Sequence, residues 1–201
     1  MSLVIDYYFA PQSPWTYLGH QRLQDIAAAA GATIQVLPAD YGRIFPVSGG
    51  LPLPKRAPQR QAYRLVDLAR FSRHLAVPLT LQPRHFPVPA DDAARLIIAV
   101  RQHDGDAAAL AFAGAVMRAV WVEERDIADP ATLAALLAEN GLEAQRLDQA
   151  RAATAQQAYD ANTEQAIALG VFGAPTYAVG GELFWGQDRL DFLQRRLAHA
   201  A

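Results

Sequence analysis

The sequence predicts an α/β domain that an all-helical segment interrupts, because strand patterns occur only towards the two ends of the chain. Residues 3–9 and 33–37 have the apolar, β-branched and aromatic composition of strands. Residues 175–179 and 182–185 have a similar composition, and the Gly-Gly pair between them is typical of a two-residue hairpin turn. The long stretch between these two pairs of segments contains no strand pattern.

A helix is predicted between the first two strands. Ser13 has the side chain of an N-cap, and Pro14 suits the first position of a helix. Apolar residues then follow at mostly helical spacing as far as Gly31, which is a typical helix stop. A crossover of this length joins parallel strands, so residues 3 to 37 are predicted to form a β–α–β unit.

The middle of the chain is predicted to be helical apart from one irregular segment. Four prolines and a pair of glycines between residues 46 and 58 indicate a long loop. Beyond it the chain is rich in Ala, Leu, Arg and Gln, and Asp129-Pro130 has the composition of a helix start. The predicted helices cover residues 59–76, 90–103, 106–123, 130–140 and 143–169, the last of them broken.

The chain ends with the predicted hairpin and a final helix, which has Leu190, Leu193 and Leu197 on one face. The order is therefore β–α–β, a helical block, then β–β–α, which is the order of a thioredoxin-like core with a helical insertion. We predict a discontinuous thioredoxin-like domain of residues 1–40 and 170–201, and a helical insertion domain of residues 41–169.

Composition and charge exclude several classes of function. The formal net charge is −2, which gives no reason to expect a nucleic-acid partner or a membrane surface. Cysteine is absent, so disulfides, resident thiolate nucleophiles and cysteine metal sites are excluded. The five histidines lack metal-ligand spacing, and we expect no metal. No signal pattern or apolar run of about 18 residues is seen, so we expect a cytoplasmic protein.

Ser13 is the first candidate for chemistry, because it lies where strand one turns into helix one. Free backbone N–H groups and the helix dipole favour an anion there, and a thiolate is such an anion. The Ser13 hydroxyl can donate one more hydrogen bond to it. Redox enzymes of this fold carry Cys-x-x-Cys here, whereas Ser13 and Thr16 take the two cysteine places in this chain. The alternative interpretation is an ordinary helix N-cap.

Two later segments are further candidates. Ala174-Pro175 precedes a late strand. A cis peptide bond there would expose backbone groups near the start of helix one. The alternative interpretation is an ordinary loop proline. Gln187-Asp188 opens the last helix, where a carboxylate and free N–H groups suit a ligand with an ammonium and a carboxylate. Asp188 as a simple N-cap is the alternative. Core packing is the favoured interpretation of Trp15 and Phe184, and the alternative is that they line a pocket for an aromatic substrate.

These segments together resemble one known family. Asp6-Tyr7-Tyr8-Phe9 followed by Ser13-Pro14-Trp15-Thr16-Tyr17-Leu18 is similar to the opening of the 2-hydroxychromene-2-carboxylate isomerase family, which is related to kappa-class glutathione transferases. Residues 170–176 and 182–190 resemble its C-terminal signature, and the order and spacing match over essentially the whole chain. The resemblance implies a thioredoxin-like domain with a helical insertion, commonly a homodimer, that uses glutathione.

The resemblance also implies roles for particular residues. Ser13 matches the serine that holds the glutathione thiolate. Ala174 and Pro175 match the pair whose backbone contacts the cysteinyl unit, and Gln187 and Asp188 match the group that binds the γ-glutamyl end. Arg60 stands where the family usually has a lysine that contacts the glycyl end, and its geometry differs from that of lysine. Gly49-Gly50 replaces the family's frequent Gly-Asn, a departure in the preceding loop.

The expected activity is a glutathione-dependent cis/trans isomerisation of a conjugated aromatic pyruvate, in aromatic-compound catabolism. An example is the conversion of 2-hydroxychromene-2-carboxylate to trans-o-hydroxybenzylidenepyruvate by reversible thiolate addition. One alternative is a kappa-like glutathione transferase that conjugates or reduces small electrophiles, in which case glutathione is consumed. Another is a non-catalytic glutathione- or peptide-binding protein. A disulfide oxidoreductase is excluded by the missing cysteines.

Overall fold

The computed structural model describes residues 3–199 and contains a four-stranded mixed sheet. The strands are β1 (Val4–Phe9), β2 (Thr33–Pro38), β3 (Thr176–Val179) and β4 (Glu182–Trp185), in the order β2-β1-β3-β4. β1 and β2 are parallel, whereas β3 is antiparallel to both β1 and β4. All four predicted strands and the predicted thioredoxin-like order are confirmed.

β1 lies inside the sheet and is covered on both faces. Ile5, Tyr7 and Phe9 belong to one hydrophobic cluster, and Tyr8 belongs to a second cluster with Leu37. All three of Tyr7, Tyr8 and Phe9 are fully buried. A strand that is buried on both faces needs a nearly continuous apolar run, which is the composition of this segment.

The helix α1 (Pro14–Ala29) follows β1 as predicted. Ser13 is its N-cap, and its side chain accepts a hydrogen bond from the Thr16 backbone N–H. Leu18, Leu23 and Ile26 recur at helical spacing on the face that packs against the core. The strand, the cap and the buried face together fix where Ser13 lies relative to the sheet.

Helix α2 (Tyr41–Ser48) corrects the expectation that the chain becomes irregular from residue 46. Pro46 removes one backbone hydrogen bond within this short helix. Two features offset that loss. The Asp40 carboxylate caps the helix by accepting from the Gly42 N–H at 2.7 Å, and Tyr41 and Ile44 are buried. The irregular segment therefore begins at residue 49 and includes a short 3₁₀ turn at Leu53–Lys55.

The remaining helices agree closely with the predicted ones. They are α3 (Pro58–Leu75), α4 (Asp91–Trp121), α5 (Pro130–Glu139), α6 (Arg146–Arg151), α7 (Ala153–Leu169) and α8 (Leu190–Ala198). The predicted helices 90–103 and 106–123 are the two halves of α4, which meet at Gly105 with φ 88° and ψ 170°. The predicted break within residues 143–169 separates α6 from α7 at Ala152.

The break in α4 brings its second half into contact with the edge of the sheet. Asp106, the first residue after Gly105, accepts from the Val36 backbone N–H of β2 at 3.0 Å and from Arg101 Nε at 2.7 Å. α4 also packs along β2 and α1. The sheet and the helical segment share one hydrophobic cluster, in which Tyr7 lies with Leu96 and Phe112. The division into two domains at residues 41 and 169 stays a prediction.

Within residues 3–199, no helix combines the length and the apolar composition that crossing a membrane requires.

Candidate functional site

Ser13 lies at the N-terminus of α1 with its hydroxyl proton unused. Its oxygen accepts from the Thr16 N–H at 3.3 Å, and its backbone N–H donates to the Ala10 carbonyl at 2.9 Å. The hydroxyl donates to no group among residues 3–199, and within that range the Trp15 backbone N–H also has no acceptor. Two donors therefore remain at the positive end of the helix dipole, where an anion is favoured.

Among residues 3–199, no histidine or carboxylate forms a hydrogen bond with Ser13. His20, on the same helix, is 6% exposed, and both of its ring nitrogens are engaged elsewhere. Its Nε2 lies 3.0 Å from the Leu110 carbonyl, and its Nδ1 lies 3.2 Å from the Tyr7 hydroxyl. A serine without a general base is a weak nucleophile, so this geometry suits Ser13 as a donor to an anion rather than as the attacking group.

The Ala174-Pro175 segment lies at the same end of the strands as Ser13. The Ala174–Pro175 bond is cis, as the family resemblance implied. Thr176, the residue after Pro175, lies opposite Tyr8 in the antiparallel β1–β3 pair. Ala174 and Pro175 therefore lie beside the end of β1 that leads to α1. Ala174 is half-buried and Pro175 is buried.

Tyr41 holds this loop to β1, a role that the sequence did not indicate. Its buried hydroxyl is 3.3 Å from the Tyr8 carbonyl and 3.2 Å from the Gly173 carbonyl. A single O–H proton shared between two carbonyls joins the end of β1 to the residues before Pro175. Burial is the main reason that the pKa of Tyr41 is raised, so this hydroxyl stays a donor at neutral pH.

The Tyr41→Phe variant is expected to unfold more easily by about 1 kcal/mol, because two buried carbonyls lose their shared donor. Urea denaturation measures this loss. Tyr159→Phe is the matched comparison, because it removes a hydroxyl bond to the exposed Asp91 on α4 at 3.0 Å, where solvent can replace it. We expect a smaller loss of stability in that variant; an equal or larger loss would contradict the role given to Tyr41.

Gln187 and Asp188 follow β4 and occupy different environments. The Gly186 N–H donates to the Pro175 carbonyl at 2.9 Å, which joins this turn to the cis-proline segment. The Asp188 carboxylate is exposed and pairs with Arg189. Gln187 is only 2% exposed, and neither atom of its side-chain amide has a hydrogen-bond partner among residues 3–199. Asp188 is therefore placed to meet a ligand in solvent, whereas the Gln187 side chain faces the interior.

The interior position of Gln187 depends on a glycine in α1. A Cβ added at Gly19 would lie 2.8 Å from Gln187 Cβ and 2.8 Å from the Tyr177 hydroxyl. The absence of a side chain at position 19 thus lets the turn at 187–189 approach α1 closely. Arg22, one turn further along α1, donates to the Gln187 carbonyl at 3.3 Å and to Asp191 at 2.8 Å.

Arg60 lies on a neighbouring helix. It is exposed in the first turn of α3 and forms no ion pair within residues 3–199. α3 packs against α1, where Trp15 meets Phe71 edge to face with ring centroids 5.8 Å apart. Trp15 is therefore half-buried between the two helices, whereas Phe184 is 8% exposed and belongs to the core, which is the interpretation that the sequence favoured.

Two surface clefts are lined by other residues and include none of Ser13, Pro175, Asp188 and Arg60. One of about 360 Å³ is lined by three carboxylates, Asp40, Asp91 and Asp92, and another of about 290 Å³ lies beside Gly105. The carboxylates of the first cleft disfavour an anionic ligand. Among the described residues 3–199, no three His, Cys, Asp or Glu side chains are grouped so that they could hold a metal ion.

The chain is similar to known proteins over nearly its full length. A family model of the DsbA-like thioredoxin domain matches residues 4–198. The 2-hydroxychromene-2-carboxylate isomerase of Pseudomonas putida is 32% identical over 196 residues, which cover 96% of this chain and 93% of that protein. The protein of the same name from Sphingobium xenophagum is 32% identical over 199 residues, 98% of this chain and 99% of that protein.

A solved structure has the same overall fold. The structure of a selenomethionine-labelled 2-hydroxychromene-2-carboxylate isomerase superposes with a TM-score of 0.81 at 29% identity, covering 98% of this chain and 95% of that chain. The similarity therefore includes the helical segment as well as the sheet.

Proposed function

Because this chain belongs to the 2-hydroxychromene-2-carboxylate isomerase family of DsbA-like thioredoxin-domain proteins, we propose that it is a glutathione-dependent isomerase. Its substrate is a conjugated aromatic pyruvate, such as 2-hydroxychromene-2-carboxylate, which it converts to trans-o-hydroxybenzylidenepyruvate. The observation that carries this proposal is the Ser13 hydroxyl, which lies at the start of α1 and whose proton has no acceptor among residues 3–199.

The residues of this candidate site fit glutathione. The Ser13 hydroxyl and the Trp15 N–H are two donors for a thiolate. The exposed carboxylate of Asp188 suits the ammonium of the γ-glutamyl end, and Arg60 suits the glycyl carboxylate because it has no ion pair within residues 3–199. Gln187 is only 2% exposed and its carbonyl already accepts from Arg22, so we expect it to position the turn that carries Asp188 rather than to contact glutathione. This assignment keeps Ser13, Asp188 and Arg60 as contacts and changes the role expected of Gln187.

The Ser13 hydroxyl and the Trp15 N–H would hold the sulfur of glutathione, which when bound would supply a nucleophile for reversible addition to the conjugated double bond of the substrate. The protein's part is to favour the charged form of the thiol. A hydrogen bond from Ser13 and the positive end of α1 both lower the pKa of a bound thiol. No proton needs to leave Ser13, which agrees with the finding that no residue in the range 3–199 accepts its hydroxyl proton.

A turnover experiment with limiting glutathione tests this function. Purified protein is mixed with 2-hydroxychromene-2-carboxylate and a small amount of glutathione, product is followed by ultraviolet absorbance, and free thiol is titrated at the end. We expect many product molecules per glutathione and no loss of thiol. Loss of one thiol per product would identify the alternative, a kappa-like transferase. Absence of conversion with glutathione present would contradict the isomerase proposal.

A further inference from the structure

Most arginines of the described chain form ion pairs, but the basic segment at the start of α3 forms none. The ion pairs found within residues 3–199 involve arginines on most other helices, whereas residues 55–64, with four cationic side chains, contribute to none of them. An unpaired group of like charges repels itself and attracts anions. This segment therefore has charge available for an anionic ligand.

The members of this segment differ in what they contact. Arg56 is engaged in the loop, because its Nε donates to the Leu51 carbonyl at 2.7 Å. Lys55 and Arg60 are exposed, and Arg60 is the residue that we assign to glutathione. Arg64, one turn after Arg60, is half-buried and is not part of that assignment.

Arg64 is held against two aromatic rings. Its guanidinium carbon lies 5.1 Å from the centroid of the Phe86 ring and 5.8 Å from that of Trp121. These two rings contact each other with centroids 4.8 Å apart. A guanidinium against aromatic rings is stabilised by their quadrupoles and keeps its fork of N–H donors free for a planar acceptor.

The polar end of Arg64 has no partner of its own. Its Nη2 is buried and makes no hydrogen bond to any of residues 3–199. Burial, together with the charge of Arg56, lowers the pKa of Arg64 to about 10, so the cation persists at neutral pH but at an energetic cost. A ligand carboxylate would offset that cost by accepting two parallel hydrogen bonds.

Arg64 also lies on the side of α3 that faces the proposed site. It precedes Phe71 by seven residues, which is about two helical turns, so the two side chains share one face of α3. Phe71 contacts Trp15, and Trp15 is two residues from Ser13. A ligand between Ser13 and Arg64 would therefore pass along a surface of aromatic side chains.

We propose that Arg64 binds the carboxylate of an aromatic substrate, with the rings of Phe86 and Trp121 holding the guanidinium in place. The inference rests on the proposed function for its choice of an aromatic pyruvate, and it adds the residue that selects the carboxylate over an uncharged analogue. The anion of glutathione's glycyl end then stays with Arg60, so each of the two carboxylates has its own arginine.

Calorimetric titration with two matched probes tests this inference. Benzylidenepyruvate carries the carboxylate, and benzylideneacetone has a methyl group in its place. Protein without glutathione is used, so that the result does not depend on glutathione binding. We expect the wild-type chain to bind benzylidenepyruvate about 10- to 100-fold more tightly than benzylideneacetone, the range expected for a charged hydrogen-bonded pair. Arg64→Met should remove this preference and leave the affinity for benzylideneacetone unchanged.

Two further variants separate binding from a structural role. Arg64→Lys keeps the positive charge but lacks the paired N–H donors of the guanidinium, so we expect a reduced preference for benzylidenepyruvate over benzylideneacetone. This variant serves as the test if Arg64→Met does not fold. Arg73→Met, an exposed arginine on the same helix, should behave as wild type. A wild-type chain without preference for the carboxylate, or a folded Arg64 variant that keeps the full preference, would overturn the proposal. Failure of the turnover experiment alone would leave this result standing.

Discussion

The Ser13→Ala variant is expected to turn over substrate about 10²- to 10³-fold more slowly than wild type, the usual effect of removing one preorganised donor from a developing or bound anion. The hydroxyl proton of Ser13 is unused within residues 3–199, so the substitution removes a free donor, and it also takes the acceptor from the Thr16 N–H. The Trp15 N–H and the helix dipole remain, and some activity should persist. Stopped-flow measurement at saturating glutathione gives the turnover rate. Ultraviolet titration of the bound thiol shows whether the loss of the Ser13 donor changes the pKa of that thiol.

Loss of the helix cap has to be separated from loss of the donor, because Ser13 serves as both. Ser13→Asp keeps an N-cap acceptor and replaces the donor by a negative charge, so we expect a stable protein with still lower turnover. Asp129→Ala removes the cap of α5, which accepts from the Ala131 and Thr132 N–H groups, without touching the site. That control should lose stability and keep turnover. Turnover of Ser13→Ala at the wild-type level would remove Ser13 from the mechanism.

Acidification is expected to destabilise the protein by roughly 3 kcal/mol through His20 alone, between about pH 6.5 and pH 4. Burial lowers the pKa of His20 to about 4, and the bond to the Leu110 carbonyl only partly opposes this. In the unfolded chain histidine binds a proton below about pH 6.5, so within this window the unfolded state holds more protons than the folded state. The His20 contribution to stability is therefore present above pH 6.5 and is lost as pH falls towards 4.

The hydrogen bonds of His20 explain why its neutral form is preferred. The Leu110 carbonyl can only accept, so Nε2 carries the proton, and Nδ1 accepts from the Tyr7 hydroxyl. A second proton on the ring would sit on Nδ1, so the Tyr7 hydroxyl could no longer donate to that atom and would have to reorient beside a buried charge. Urea denaturation at several pH values measures how the free energy of unfolding changes with pH. The His20→Gln variant should make this dependence weaker, whereas replacing the exposed His103 by Gln should not. An unchanged pH dependence in His20→Gln would contradict this account.

The strands and the start of α1 were predictable because their signals are local. An apolar run that is buried on both faces, a serine before a proline and a pair of glycines each specify their own backbone conformation. Helix α2 was missed for the same reason: Pro46 is a local signal against a helix, and the burial of Tyr41 and Ile44 that outweighs it comes from packing. Packing against distant segments cannot be seen in a single stretch of sequence.

The site shows the same division. Ser13 and Asp188 were predictable as groups at helix starts that remain accessible to a ligand. The burial of Gln187 depends on Gly19, far away along the chain, and the surroundings of Arg64 depend on Phe86 and Trp121. No spacing rule connects such residues, so the side-chain environments needed the structure.

The contact between Asp106 and β2 has a consequence for the edge of the sheet that β2 forms. β2 is an edge strand, and an edge with free N–H groups can recruit a strand from another chain. The Asp106 carboxylate occupies the Val36 N–H, and it reaches there because α4 turns at Gly105. A straight α4 would carry Asp106 on along the helix and leave that donor open. One backbone donor on this edge is therefore closed to an incoming strand because a helix breaks where it does.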